Sequence, residues 1–350
     1  LFRSDKVSEP ERSEIIEVTG MLIRKKKLPP RFLKGKRWSS NTYEKSYASA
    51  REDADKVEAF AHAHGLSTVE TDLVRRSILL RGTLGDFETA FNTRLQSVNT
   101  FRALTGEVQI PESLTPVITG VFGMDSRPVA RPMFQVATRE GKIISHAQSP
   151  NSFSPDQLAK VYDFPAGFTG KGECIGIIEL GGGFRTEDIS NYFKSLNLSA
   201  PTVKAISVDG GTNSPSTPDS ADGEVMLDIE VAGAIANDAT IAVYFAPNTD
   251  QGFLDAITTA IHDSNNQPSV ISISWGSAEI NWTTQALDNF NEAFKTAAAL
   301  GVSICVASGD SGSRDGETDG KVHVDFPSSS PYALACGGTH LEVSNNKILS

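Results

Sequence analysis

In this chain of 350 residues, two acids in the segment Asp222-Gly223-Glu224-Val225-Met226-Leu227-Asp228 stand out for chemistry. Glu224 and Asp228 are four apart, so on a helix they share one face. Like charges at that spacing repel. In a shared site the repulsion raises the pKa of one carboxyl, which keeps a proton available for acid–base work. On a solvated face the same pair would do nothing. Glu179 closes the apolar run 174–180, where a carboxylate costs desolvation free energy unless it is paired. Asp310 follows another apolar run, 302–307, in Ser308-Gly309-Asp310-Ser311-Gly312. A third run, 270–274, ends in Trp275-Gly276, an aromatic wall beside exposed backbone groups. Extended peptides bind such an edge by strand addition.

Several other chemistries are excluded. Gly181-Gly182-Gly183 follows a strand, but the dinucleotide fingerprint needs a further glycine at position 186, which is Thr186. Gly309-Asp310-Ser311-Gly312 looks like the nucleophile segment of trypsin-like peptidases, with Ser311 as nucleophile. The histidine-bearing segment that such an enzyme needs upstream is missing. The six histidines, His62, His64, His146, His262, His323 and His340, show no metal spacing and little support for a histidine triad. Cys174, Cys305 and Cys336 are too few for a disulfide framework and have no CxxC spacing.

These residues need elements to position them. From residue 152 the chain alternates continuous apolar strands with helices. Strands are expected at 174–180, 240–245, 270–274, 302–307 and 332–336. Helices are expected at 187–196, 224–236, 252–262 and 286–299. Unbroken apolar strands between helices imply a parallel sheet covered on both faces, with its site at the carboxyl ends of the strands. Before residue 126 the spacing predicts strands at 14–23, 77–81 and 94–98 and helices at 49–64 and 84–91, a small α+β domain. The stretch 126–155, opening with Arg127-Pro128-Val129-Ala130-Arg131-Pro132, resists regular structure because proline lacks a donor and constrains its predecessor. It reads as a linker open to proteolysis.

The composition is that of a globular chain, 39% hydrophobic and 21% charged. No apolar run approaches the roughly 20 residues of a membrane span. The net charge of −11 argues against nucleic acid as main partner. Residues 1–150 hold 23 basic and 18 acidic residues, a balance of +5, whereas residues 151–350 hold 9 and 25, a balance of −16. Halves of opposite sign suggest two bodies that dock. Leu1-Phe2-Arg3 opens no signal peptide.

Taken together, the motifs resemble the sedolisins, the serine-carboxyl peptidases, and most of all their kumamolisin branch. The order is the family's: ELGGG, DGEVMLDIEVAGA, AVYFAPN, SISWG, SGDSGSRDG and FPSSSPYALACGGT. The match runs from about residue 152 to 339, and the positive section before it resembles the family's propeptide, including RPVARPMF at 127–134. The resemblance implies a subtilisin-like α/β fold, a parallel sheet with helices on both faces, preceded by a small α+β propeptide domain. It implies a propeptide over 1–126, a linker over 127–151 and the first part of a catalytic domain over 152–350. Glu224 would be the general base, Asp228 the carboxylate that orients it, and Asp310 the oxyanion-hole residue. Glu179 and Trp275 would support the pair. The nucleophilic serine of the family's Gly-Thr-Ser-Ala motif has no match, and Gly337-Gly338-Thr339-His340 corresponds to an earlier segment. The family's calcium site would lie beyond Ser350.

A histidine base is protonated well below its pKa of about 6.5, whereas a glutamate near 4.3 still accepts a proton in acid. A carboxyl in an oxyanion hole donates a hydrogen bond only when protonated. The expectation is therefore the precursor of an acid-acting endopeptidase, secreted into acidic surroundings and monomeric. Its partners would be protein or peptide substrates and its own propeptide, an intramolecular inhibitor removed at low pH. The chain as written would be inactive. Ser274, Gly276, Ser308 and Gly309 would flank an extended substrate, and Asp325 would offer a negative charge to one subsite. The alternative is a non-catalytic peptide-binding or inhibitory protein on the same fold.

Overall fold

The structure is a computed structural model that describes residues 7–29, 37–134, 138–139, 142–143, 153–217, 220–339, 341–344 and 347–349. Much of the expected linker beyond Phe134, as well as His146 and His340, lies outside the described residues. By contacts the chain divides into two compact bodies. The first contains the N-terminal section through Ala130 together with Pro247–His262 and Asn281–Val302. The second contains Arg131–Ala246, Asp263–Ile280 and Ser303–Ser350.

The first body is built on a four-stranded antiparallel sheet in the order Ser67–Asp72, Ser77–Thr83, Ile15–Leu22, Ile118–Phe122. Helix Arg51–Ala63 buries Ala54, Val57 and Ala61, one stripe at helical spacing. These join Val18, Ile78, Leu80, Phe87 and Val121 in one core. The short helix Leu84–Ala90 starts from a capping box in which Thr83 and Asp86 satisfy each other's backbone N–H groups.

Two long helices, Asp250–His262 and Thr284–Leu300, group with this body rather than with the sheet that their sequence interrupts. The contacts explain why. Val121 donates its N–H to Gln285 Oε1 (3.3 Å) and accepts from Gln285 Nε2 (2.8 Å). Asn289 Nδ2 donates to the Thr119 carbonyl at 3.1 Å. Four helical residues rise about 6 Å and two strand residues about 6.7 Å, so carboxamides one helical turn apart can read alternate residues of the strand edge. Gly120 permits this approach, since a Cβ there would lie 2.7 Å from Asn289 Nδ2. Thr19 Oγ1 donates to Asp255 Oδ2 at 2.7 Å, and Arg24 pairs with Glu292 at 3.0 Å. Asn248 Oδ1 accepts from Val129 and Ala130 N–H, while its Nδ2 donates to the Ala130 carbonyl.

The second body holds a six-stranded parallel sheet in the order Thr202–Ser207, Thr240–Phe245, Cys174–Glu179, Val270–Ile273, Ser303–Ala307, Leu334–Cys336. Helices Thr186–Ser195 and Asp222–Ile235 pack on it through Ile189, Phe193, Val225 and Ile229 against Ile177, Ile241 and Val243. The edge strand Thr202–Ser207 was not expected from its sequence, which is half polar because one side of an edge faces solvent. Nor were Ile118–Phe122, Trp275–Ala278 and Asp325–Phe326.

The linker carries a further correction. Arg131–Pro132 forms a short antiparallel bridge with Trp275–Gly276 despite the proline. The missing N–H costs nothing where a ladder bond is not made, and the next residue, Met133, donates to the Ser274 carbonyl at 2.8 Å.

Candidate functional site

The site begins with the bend after strand Cys174–Glu179. Gly182 has φ +69°, and a Cβ there would lie 2.6 Å from both Ala221 C and Asp222 N. A Cβ on Gly183 would lie 2.4 Å from Asn213 Oδ1. The glycine run therefore lets the start of helix Asp222–Ile235 close against the strand end, and this approach brings Glu224 to Glu179.

Three carboxyls meet there. Glu179 is fully buried and accepts a hydrogen bond from Trp275 Nε1 at 2.8 Å. Glu224 is 1% exposed. Asp228, one turn along the helix and half-buried, accepts from the Ser274 hydroxyl at 2.9 Å on both oxygens. Burial and then the charge of Asp228 push Glu224 up to about 9, against the pull of the Ser274 hydroxyl and the Met133 backbone N–H. Burial raises Asp228 to about 6, opposed by hydrogen bonds from Ser274 and Glu224. Glu179 is held well above the usual range by burial, then by Asp228. Glu224 Oε2 and Glu179 Oε1 have no hydrogen-bond partner among the described residues.

Asp310 is exposed on the loop after strand Ser303–Ala307, and its charge reaches Glu224. Gly309 precedes it with φ +86°. Ser308 is exposed and turns its hydroxyl to the Cys336 carbonyl at 3.1 Å. Gly276 pairs with Arg131 of the linker, and its missing Cβ leaves room for Asp325, whose Oδ1 would lie 2.6 Å away. Glu224, Asp228, Glu179, Ser274, Trp275 and Asp310 thus lie in one neighbourhood.

Asp325 differs from expectation. It is 4% exposed and stands beside Asp315, also 4% exposed. Burial and the Asp315 charge push Asp325 up to about 8. In acid it is therefore a neutral carboxyl rather than a negative charge. The sequence reading passed over its neighbours. Arg131 Nη2 of the linker binds Asp315 Oδ1 at 2.6 Å and the Asp315 carbonyl at 2.6 Å. Asp315 takes a left-handed φ of 45° in an Asp-Gly pair, the one signal in the sequence of a special turn there. Ser274 as partner of both carboxylates was missed too, because nothing in SISWG tells which way its hydroxyl points.

No group of three or more His, Cys, Asp or Glu among the described residues could hold a metal ion. Nor is any described helix long and apolar enough to cross a membrane.

Comparison with known proteins bears on this arrangement. Residues 29–127 match the pro-kumamolisin activation domain and residues 206–348 the subtilase family. The chain is 48% identical to kumamolisin of Bacillus sp. (strain MN-32) over 311 residues, covering 87% of this chain and 56% of that protein. It is 26% identical to sedolisin of Pseudomonas sp. (strain 101) over 328 residues, covering 89% of this chain and 54% of that protein. The chain thus spans about half the length of these relatives. The solved structure of Pseudomonas sedolisin, a serine-carboxyl proteinase complexed with pseudo-iodotyrostatin, superposes with a TM-score of 0.50 at 28% identity, covering 56% of each chain.

The raised carboxyls fix the sign of a pH dependence. Glu224 and Asp228 hold protons more tightly folded than unfolded, where carboxyls titrate near 4. They add stability that is fully present below about pH 4 and is lost as pH rises through about 6 and then about 9. The unfolding temperature is expected to fall between pH 5 and pH 9, and Glu224→Gln with Asp228→Asn should fall less steeply. Parallel calorimetric profiles for the two proteins would contradict the raised values.

Proposed function

The chain belongs to the kumamolisin-like sedolisins, an activation domain joined to a subtilase-like catalytic segment, and on that premise we propose that it supplies the carboxylate machinery of an acid-acting serine-carboxyl endopeptidase. One observation supports this reading most. A carboxyl pair, Glu224 buried and Asp228 half-buried, with a shared hydroxyl stands beside a strand edge that already carries an extended peptide, the linker Arg131–Met133.

The chemistry follows from coupling. Two carboxyls this close hold a first proton tightly and a second one weakly, and those two steps belong to the pair. The singly protonated pair is the working base; with the lower step raised to about 6 it is a minority of about one part in a hundred at pH 4, and the acid-acting reading draws on that fraction. Glu224 accepts the proton of a nucleophilic hydroxyl at its unpartnered Oε2, and its own proton passes to Asp228. Trp275 holds Glu179 behind them and keeps the third carboxyl from drifting into the pair. Asp310, when protonated, donates to the oxyanion of the tetrahedral intermediate; ionised, it would repel that oxyanion. The nucleophile has no Gly-Thr-Ser-Ala run among these 350 residues. In the protein that contains one, Glu224→Gln keeps the shape and removes the acceptor, so kcat should fall about 10²- to 10⁴-fold. A polypeptide of residues 1–350 serves as the control and should hydrolyse no peptide at pH 4. Equal kcat for the variant and its parent would remove Glu224 from the mechanism.

The linker suggests a subsite preference. A substrate taking the place of Arg131 would find the Asp315 carboxylate, with neutral Asp325 behind it. Basic side chains should be favoured there. In a peptide library with arginine scanned through each position, Asp315→Asn should erase the preference and Asp325→Asn should change it less. A profile untouched by Asp315→Asn would refute this pocket.

Activation at low pH is the last part of the proposal. The Arg24–Glu292 pair holds Glu292 below its ordinary value, through hydrogen bonds from Lys295 and Arg24 that outweigh burial. It favours the closed form above about pH 4.5, and that contribution is lost as pH falls through the lowered value. Burial depresses His262 to about 3, so protonation opposes the closed form below pH 6.5. Asp250, raised by burial to about 7, acts in the opposite sense over nearly the same interval. The two offset, and the net loss waits for the carboxylates. Hydrogen exchange in strand Ile118–Phe122, corrected for intrinsic rates, should stay level from pH 7 to about 4.5 and accelerate below about 4. Undiminished protection at pH 3.5 would exclude an electrostatic release.

A further inference from the structure

Ser274 occupies the point where the sheet, the acid helix and the linker meet. It follows the buried strand Val270–Ile273 and precedes Trp275, so its backbone is fixed on both sides. Its carbonyl accepts from Met133 N–H at 2.8 Å, which commits the main chain to the linker strand. The side chain faces a different partner. Its Oγ lies 2.9 Å from Oδ1 and 2.9 Å from Oδ2 of Asp228, and the same hydroxyl reaches Glu224.

A hydroxyl has one proton to give and two lone pairs with which to accept. Between two carboxyls it cannot donate to both at once. Glu224 also lies within hydrogen-bond reach of Asp228, so protonated Glu224 can donate to Asp228 directly or to Ser274 Oγ, and in either case the Ser274 proton goes to ionised Asp228. We propose that Ser274 is a positioning residue for the carboxyl pair, one that places the shared proton on Glu224 and the negative charge on Asp228. It is neither the nucleophile nor a mere wall of the peptide groove. The inference rests on the reading of the pair as the proton acceptor.

The step it supports is balanced. When Glu224 accepts a proton at Oε2, its first proton moves to Ser274 Oγ, and the Ser274 proton moves to Asp228. One proton has crossed from Glu224 to Asp228 and the hydroxyl is regenerated. The other charged neighbours are Glu179, whose carboxyl faces Asp228 and Glu224, and Asp310, whose charge faces Glu224. Both are acids, and both raise the cost of a second negative charge in the pair. A donor fixed on Asp228 is the feature that lets one charge remain.

The titration can be read in the 350-residue chain itself. Infrared absorption of the protonated carboxyl C=O, followed from pH 3 to pH 9, reports the lower step of the pair, raised to about 6, with Asp228→Asn used to assign it. Ser274→Ala should shift the lower step upward by about one pH unit, a tenfold gain in proton affinity. Ser274→Thr keeps the hydroxyl and should return the step to its wild-type place. If Ser274→Ala does not fold, Ser274→Cys keeps the size with a weaker donor and should give a shift of the same sign. Coincident titrations for wild type and the Ala or Cys variant would overturn the proposal. So would a Thr variant that titrates like Ala, or covalent labelling of Ser274 by a fluorophosphonate. Peptide hydrolysis is not the readout, so failure here would leave the peptidase reading standing. Failure of the Glu224→Gln experiment would leave the titration result intact.

Discussion

Repulsion between buried carboxyls is the constraint on which the second body is organised. Glu179, Glu224 and Asp228 cannot all be ionised in one small volume, and they cannot all be neutral without finding acceptors for their protons. The fold resolves this with two donors from adjacent positions of one chain segment, the Ser274 hydroxyl and the Trp275 indole N–H. Two consecutive residues thus serve Asp228 and Glu179 in turn. The glycine bend at 181–183 follows from the same need, because any Cβ on Gly182 would hold the acid helix away from the strand end.

The parallel sheet was legible because its strands are continuous apolar runs. Thr240–Phe245 was placed to the residue, and Cys174–Glu179 and Ser303–Ala307 to within one. The acids were legible because charge at the end of such a run needs a reason. What escaped was decided by contacts that sequence does not encode locally. Thr202–Ser207 is half polar because it is an edge. Ile118–Phe122 contains a glycine that reads as a break and serves as the approach for Asn289. Arg131–Pro132 looked irregular because proline forbids a full ladder, yet a two-residue bridge needs no full ladder. Asp325 looked like a surface acid in a polar loop. Its burial comes from pairing with Ser277–Ala278 across an antiparallel bridge, a long-range event that no local pattern announces.

Asp315 and Asp325 repeat the logic of the main site in a second place. Two acids are buried together, and one of them is pushed up to about 8. Here the relief comes from a cation, Arg131 on the linker, rather than from a hydroxyl. A ligand that brings its own positive charge can replace Arg131. A site closed by a resident hydroxyl has no such vacancy to fill. The same electrostatic problem is thus answered by a hydroxyl in one case and by an arginine in the other.

In the proposed activation, acid alone is an incomplete trigger. Its contacts to the helices Asp250–His262 and Thr284–Leu300 include the carboxamides Gln285 and Asn289 and the hydroxyl of Thr119, none of which titrates. Thr19 with Asp255 adds a bond that survives protonation of the acid, since a neutral carboxyl still accepts. Among the described residues, the salt bridge between the sheet section and these helices is that of Arg24 with Glu292. Protonation therefore weakens the grip of the sheet on the helices without abolishing it. Net hydrogen bonds of about 1 kcal/mol each are enough to keep several neutral contacts closed when one ion pair is lost. Lasting release needs a second event, and the covalent connection through Val129–Met133 is where it can occur. Asn248 holds that segment at Ala130 and Ser274 holds it at Met133, so cutting it would convert one tethered association into two weaker ones. On the proposed reading, acid would set the time of opening and cleavage would make it irreversible.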